Sequence, residues 1–188
     1  MYTEIVYIVF ECVPVLLRWS CARRIAIYER INDMYQKQKE KAFALLKNNE
    51  KNRDYTNRYW IPYADYLDPT DCFPTFSCDY LDGKQGYLDL IDNLLRADQT
   101  AKVFVELYGC DSFDGKPCIN AETLILFSRL PLCDIEHIFN APEDIFPSAI
   151  GEETDLSQPT FIIDENGCVI PAADLPTNGC SVYYCWWD

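Results

Sequence analysis

Thr123-Leu-Ile-Leu-Phe-Ser-Arg-Leu130 carries three consecutive aliphatic residues, Leu124, Ile125 and Leu126, followed by Phe127. A strand with one wet face alternates apolar and polar residues, so an unbroken apolar run predicts a central strand buried on both faces. Ahead of it, Ala101-Lys-Val-Phe-Val-Glu-Leu-Tyr108 does alternate. Val103, Val105 and Leu107 fall on one face, Phe104 and Tyr108 on the other, which predicts a second strand. Cys110-Asp-Ser-Phe-Asp-Gly-Lys-Pro-Cys118, between the two, reads as a loop in which Asp, Gly115 and Pro117 make the bend.

Working outward from this pair, Pro131 to Phe139 reads as a short helix with Ile135, Ile138 and Phe139 inward. Pro142-Glu-Asp144 resembles a further helix start, with acids at the positive end of the dipole. Thr160 to Ile170 reads as a β-hairpin in which Asn166-Gly167 supplies positive φ angles. Ser181 to Trp187 is a last, markedly aromatic strand, and alternation forbids Trp186 and Trp187 from sharing a face. Upstream, Tyr87 to Leu95 has the spacing of a short helix, and Pro62 to Gly83 reads as a loop. From Ile27, apolar residues at Ile31, Met34, Tyr35, Ala42, Leu45 and Leu46 follow a helical period, ended by Asn48-Asn49 and the polar run through Asn57. The fold class is α+β: an N-terminal helical segment, then a mostly antiparallel sheet of four or five strands with short helices between.

Charge divides the chain more sharply than any sequence break. The 188 residues carry a formal net charge of −14. Residues 1–60 hold 11 Lys+Arg and 7 Asp+Glu, a net of +4; residues 61–188 hold 5 and 23, a net of −18. The reading is a basic, mainly helical segment, 1–60, and an acidic α+β domain, 61–188, joined in one compact unit. An acidic surface cannot displace counterions from phosphates, which argues against direct nucleic-acid binding. The apolar share of 49% argues against a disordered chain.

The ten cysteines show no Cys-x-x-Cys; the nearest spacings are Cys72/Cys78, Cys110/Cys118 and Cys180/Cys185. His137 is the one histidine, so neither a multi-His metal site nor a His-assisted nucleophile is supported. The apolar stretch Ile5 to Leu17 contains Glu11 and Pro14 and has its arginines after it rather than before, unlike a signal peptide. At 13 residues it is also short of the about 20 needed to span a membrane. These features point to a reducing cytoplasm, free thiols packed as small hydrophobes, and no metal or other cofactor.

No phosphate loop, nucleophile elbow or His-Glu-x-x-His is present, so any enzyme chemistry falls to carboxylates such as Asp111 and Asp114, which could hold Mg²⁺. The acids make better sense together. From Asp134 to Glu165, 32 positions contain no Lys or Arg but include Glu143, Asp144, Glu152, Glu153, Asp155 and Asp164. Solubility asks a small domain for a net charge of about 2–8 in magnitude, well below this. The surplus fits electrostatic docking of a basic protein, with Asp111, Asp114, Glu143, Asp144, Glu152, Glu153, Asp155, Asp164 and Glu165 as contacts and Trp187 as an aromatic anchor.

Phe127-Ser-Arg-Leu-Pro-Leu132, Ile138-Phe-Asn-Ala-Pro-Glu-Asp-Ile-Phe-Pro147 and the Thr160–Pro171 hairpin resemble segments of bacterial toxin immunity proteins from contact-dependent and polymorphic toxin systems. The resemblance covers roughly the last 90 residues. It implies a non-catalytic inhibitor that binds a cognate toxin, commonly a basic nuclease domain, and blocks its active site or substrate path. A phage anti-defence inhibitor or nucleic-acid mimic makes the same electrostatic demand. A carboxylate-dependent metal enzyme is the alternative of a different class; it requires Asp111, Asp114 and later acids to converge on one cavity.

Overall fold

The computed structural model describes residues 37–68, 74–76, 84–113, 116–142, 145–153 and 158–188. Helix α1 covers residues 37–52, followed by strand β1 (Arg58–Pro62) and the single turn α2 (Tyr63–Tyr66). Then come β2 (Pro74–Phe76), α3 (Lys84–Ala97), β3 (Lys102–Phe113), β4 (Lys116–Ser128) and α4 (Leu132–Phe139). The chain finishes with β5 (Ala149–Glu152), β6 (Thr160–Ile163), β7 (Val169–Pro171), a 3₁₀ turn (Ala172–Asp174) and β8 (Ser181–Trp186).

The fold is α+β, but its sheet is larger than expected and mixed. Eight strands run in the order β5-β8-β4-β3-β1-β6-β7, with β2 on β4. β1 is antiparallel to β3 and parallel to β6, and β2 is parallel to β4; the remaining pairs are antiparallel. The spine is the β3–β4 hairpin, whose strands pair from Lys102↔Phe127 to Phe113↔Lys116. Asp111 therefore lies in a strand opposite Cys118, not in a loop. As expected, β4 is central: Leu124, Ile125 and Leu126 have no exposed surface.

The helices all pack on one face. Tyr87, Leu90, Ile91 and Leu94 of α3 and Ile135 and Phe139 of α4 meet Val103, Val105, Leu107, Leu124 and Leu126 of the sheet in one core. Each such Leu, Ile or Phe contributes about 1.5–3 kcal/mol when fully buried. α1 buries Gln38, Ala42, Leu46 and Asn49, a stripe at helical spacing whose two ends are amides. Its helix continues past Asn49 to residue 52, because Asn49 faces inward and packing outweighs its weak propensity. The expected 1–60 boundary falls inside β1, and Ala42 and Leu46 share the core of the acidic part.

The second face carries a smaller cluster of Trp60, Phe104, Ile125, Phe127, Ile162 and Val182, partly covered by Ala172, Leu175 and Cys180. Phe104 and Val103/Val105 do divide between the two faces as alternation predicts.

One turn departs from expectation. The β6–β7 loop is Glu165-Asn-Gly167, where Gly167 alone takes a positive φ, +76°. Asp164 accepts the backbone N–H groups of Asn166 at 2.9 Å and Cys168 at 2.8 Å, so its carboxylate does the turn work assigned to Asn166. Of the helix start expected at Pro142-Glu-Asp144, Glu143 and Asp144 lie outside the described residues; Ile145 and Phe146 run in irregular backbone to β5.

Candidate functional site

Arg58 opens β1 with its side chain toward the second face. Its Nε lies 3.1 Å from each carboxylate oxygen of Glu106 on β3, and its Nη2 is 2.8 Å from Glu153 Oε2. Trp60 Nε1 donates to Glu106 Oε2 at 2.8 Å, and the guanidinium stands 5.7 Å from the Trp60 ring centroid. Burial opposes the charge on Arg58, but Glu106 and Glu153 outweigh it and hold the guanidinium charged more firmly than usual. Three charges and an indole N–H from β1, β3 and the residue after β5 thus satisfy one another.

Beside this network the β3–β4 ladder is irregular. Register shifts fall between Glu106 and Leu107 and between Leu107 and Gly109, which leaves Glu122 and Tyr108 outside the paired positions. Such bulges re-aim side chains. Tyr108 turns outward, while Glu122 accepts Trp186 Nε1 at 2.9 Å through its carboxylate and Trp187 N–H at 2.9 Å through its carbonyl. A cleft of about 270 Å³ results, lined among others by Glu50 of α1, Tyr55, Arg58, Glu106, Tyr108 and Gln158.

Two further cavities flank the sheet. One of about 380 Å³ lies between α1, α2 and α3, with Lys39, Tyr63, Asp65, Asp68 and Asp92 in its wall. Burial, helped by Lys84 and opposed by Asp68 and Asp65, pushes the Lys39 ammonium down, while burial pushes the Asp65 carboxyl up. The other, about 530 Å³, lies on the second face between Trp60, Phe127, Phe161, Pro171 and Leu175.

Among the described residues, those singled out for partner contact do not form one patch. Asp111 is exposed on β3, and Glu152 is exposed on β5 at one edge of the sheet. Glu165 is exposed and Asp164 half-buried in the β6–β7 turn at the opposite side. Glu153 is turned inward to Arg58 and has only 12% of its side chain exposed. Asp114, Glu143, Asp144 and Asp155 lie outside the described residues. Trp187 is core rather than surface: 5% exposed, it packs against the rings of Phe76, Tyr87 and Phe139 and donates Nε1 to the Ile145 carbonyl at 2.9 Å. Among the described residues the exposed aromatics are Tyr55, Tyr108 and Phe146.

Cys110, Cys118 and Cys185 are buried thiols, while Cys133 and Cys168 are exposed. Burial, followed by Glu50, pushes the Cys110 thiol up to about 11, so it is protonated at neutral pH and a poor nucleophile. Among the described residues no group of three or more His, Cys, Asp or Glu is placed to hold a metal ion, and no helix is long and apolar enough to cross a membrane. Comparison with known protein families, characterised proteins and solved structures returned no match.

The sequence reading missed Arg58, Glu106, Glu50, Tyr55 and Tyr108. One signal was present: Glu106 falls within the strand reading Ala101–Tyr108, on the Phe104 side, where an acid beside an aromatic face requires a cation.

Proposed function

We propose that this chain is a non-catalytic binding protein that docks and neutralises a basic protein, in the manner of an immunity protein against a nuclease-type toxin in the bacterial cytoplasm. The observation that carries the reading is the net charge of −18 over residues 61–188. Self-repulsion of that size opposes the compact state, and a field of several kT accelerates encounter with a cation. Steering depends on the summed field and not on one contiguous patch, so carboxylates on separate strands still serve it.

A carboxylate-dependent metal enzyme is the less favoured reading. Asp111 on β3, Glu152 on β5 and Asp164 beyond β6 line none of the three cavities described above. A phage anti-defence inhibitor makes the same contacts; a toxin gene or a phage gene beside the coding sequence separates the two.

The test is capture of the partner from native host lysate at low salt, followed by stopped-flow association of the purified pair between about 20 mM and 500 mM salt. The expected partner is basic, with an on-rate that falls by about tenfold or more over that range while dissociation changes little. A neutral or acidic partner, or a salt-independent on-rate, overturns the reading.

A further inference from the structure

The cleft beside the β3–β4 bulges has features that the general charge of the molecule does not require. Tyr55 is 66% exposed and Tyr108 58% exposed. Neither hydroxyl has a hydrogen-bond partner among the described residues. Two large aromatic surfaces left in water at the mouth of one cleft are a recognition feature rather than a packing one. The cleft holds about 270 Å³, below the roughly 300–1,000 Å³ of sites for drug-sized ligands, which suits a single inserted side chain.

Its charge selects which side chain. Arg58 is committed to Glu106 and Glu153 on the floor. Glu50 in the wall receives Lys47 Nζ at 2.9 Å, an exposed i,i+3 pair, and Cys110 Sγ at 3.5 Å. Exposed pairs of this kind contribute little and exchange readily. Of the charged side chains that line the cleft, Glu50 and Glu106 stand against Arg58, and Glu106 is already forked onto that guanidinium, which leaves Glu50 as the acid at the lining.

We infer that this cleft receives one arginine side chain of a basic protein partner, its guanidinium stacking on Tyr55 and Tyr108 and donating to Glu50. Arginine fits better than lysine, because its flat, weakly hydrated cation stacks on tyrosine faces and forks onto a carboxylate. The inference rests on the proposed function for the nature of the partner, but its own test needs no partner.

The full chain, with tyrosine rings isotopically labelled, is titrated with the peptide acetyl-Gly-Arg-Gly-amide and with the same peptide carrying neutral citrulline in place of Arg. The arginine peptide should shift the Tyr55 and Tyr108 ring resonances saturably, and the citrulline peptide should bind at least about tenfold more weakly. Tyr55→Ala and Glu50→Gln, both at solvent-facing positions, should each weaken the arginine peptide by about three- to tenfold. Unshifted rings, or equal binding of the two peptides, overturn the inference. If that happens while a basic partner still associates with steep salt dependence, only the cleft is wrong; if the peptide binds but the natural partner proves neutral or acidic, only the functional reading falls.

Discussion

Arg58 and Glu153 are 95 residues apart in sequence and 2.8 Å apart in the fold. Arg58 opens β1, Glu153 follows edge strand β5, and β8, β4 and β3 lie between those two strands. Three strands separate the two, and Glu153 N–H still donates to the Val182 carbonyl of β8 at 2.8 Å, so the pair ties β1 across the second face to backbone that is still beside β8.

Adjacent glutamates should therefore give opposite results. Glu152→Lys alters an exposed edge and should change unfolding free energy by under about 0.5 kcal/mol while lowering the on-rate for a basic partner at low salt. Glu153→Lys sets a cation against Arg58 and should cost about 3 kcal/mol or more in urea unfolding. Equal stability of the two variants would show that the pair does not hold the crossing.

Trp187→Ala should destabilise by about 3–5 kcal/mol, as loss of a buried indole does, and Trp187→Phe should recover part of it. Neither change should alter the salt dependence of partner association. An unaltered melting temperature with impaired binding would place Trp187 at an interface instead.

Asp98 is 8% exposed and accepts four bonds: from Thr100 N–H at 2.9 Å, Thr100 Oγ1 at 2.7 Å, Ser128 Oγ at 2.8 Å and Arg129 N–H at 2.8 Å. Burial alone would raise its pKa, but these donors win and hold the carboxyl well below the usual range. A depressed folded pKa means its stabilisation is present above the unfolded value of about 3.9 and is lost as pH falls below that toward the folded value. Asp98→Asn should cost about 2–3 kcal/mol at pH 7 and flatten the decline in stability below about pH 4. An unchanged acid limb in pH-dependent unfolding would count against this account.

Asp65 has the opposite sign. Burial raises its carboxyl pKa, with the Gln38 amide donating at 3.1 Å as partial relief and Glu165 adding to the rise. Gln38 itself is fully buried and its Oε1 has no partner among the described residues. A raised folded pKa removes stability as pH climbs from the unfolded value through the folded one. Asp65→Asn should leave stability at pH 7 unchanged or improve it by up to about 1 kcal/mol, read as a higher melting temperature. A marked loss would mean that the charge on Asp65 is itself required.

What the sequence disclosed follows physical locality. α3, α4, β3, β4, β8 and the β6–β7 hairpin each contain their own period or turn signal within a dozen residues, and each was readable. β1 was not. Arg58-Tyr-Trp-Ile-Pro62 is five residues with Tyr59, Trp60 and Ile61 all buried, so it has no alternation, and it becomes a strand only by pairing with β3 and β6. Trp187 was misread for a related reason: alternation decides that it opposes Trp186, but not that α3 and α4 cover its face. The cleft was hidden because two bulges break the rule by which Tyr108 would have been placed.

β8 sits between β4 and β5, yet of the described strands it is the last made. About 50 residues separate the end of β4 from the start of β8, which the ribosome needs roughly 3–10 s to add. Throughout that interval the flank of β4 carrying Leu124 to Phe127 has no native neighbour, and an open strand flank of that composition invites pairing with other nascent chains. Yield in the cell should consequently depend on translation speed and chaperone supply more than the finished sheet's stability would imply.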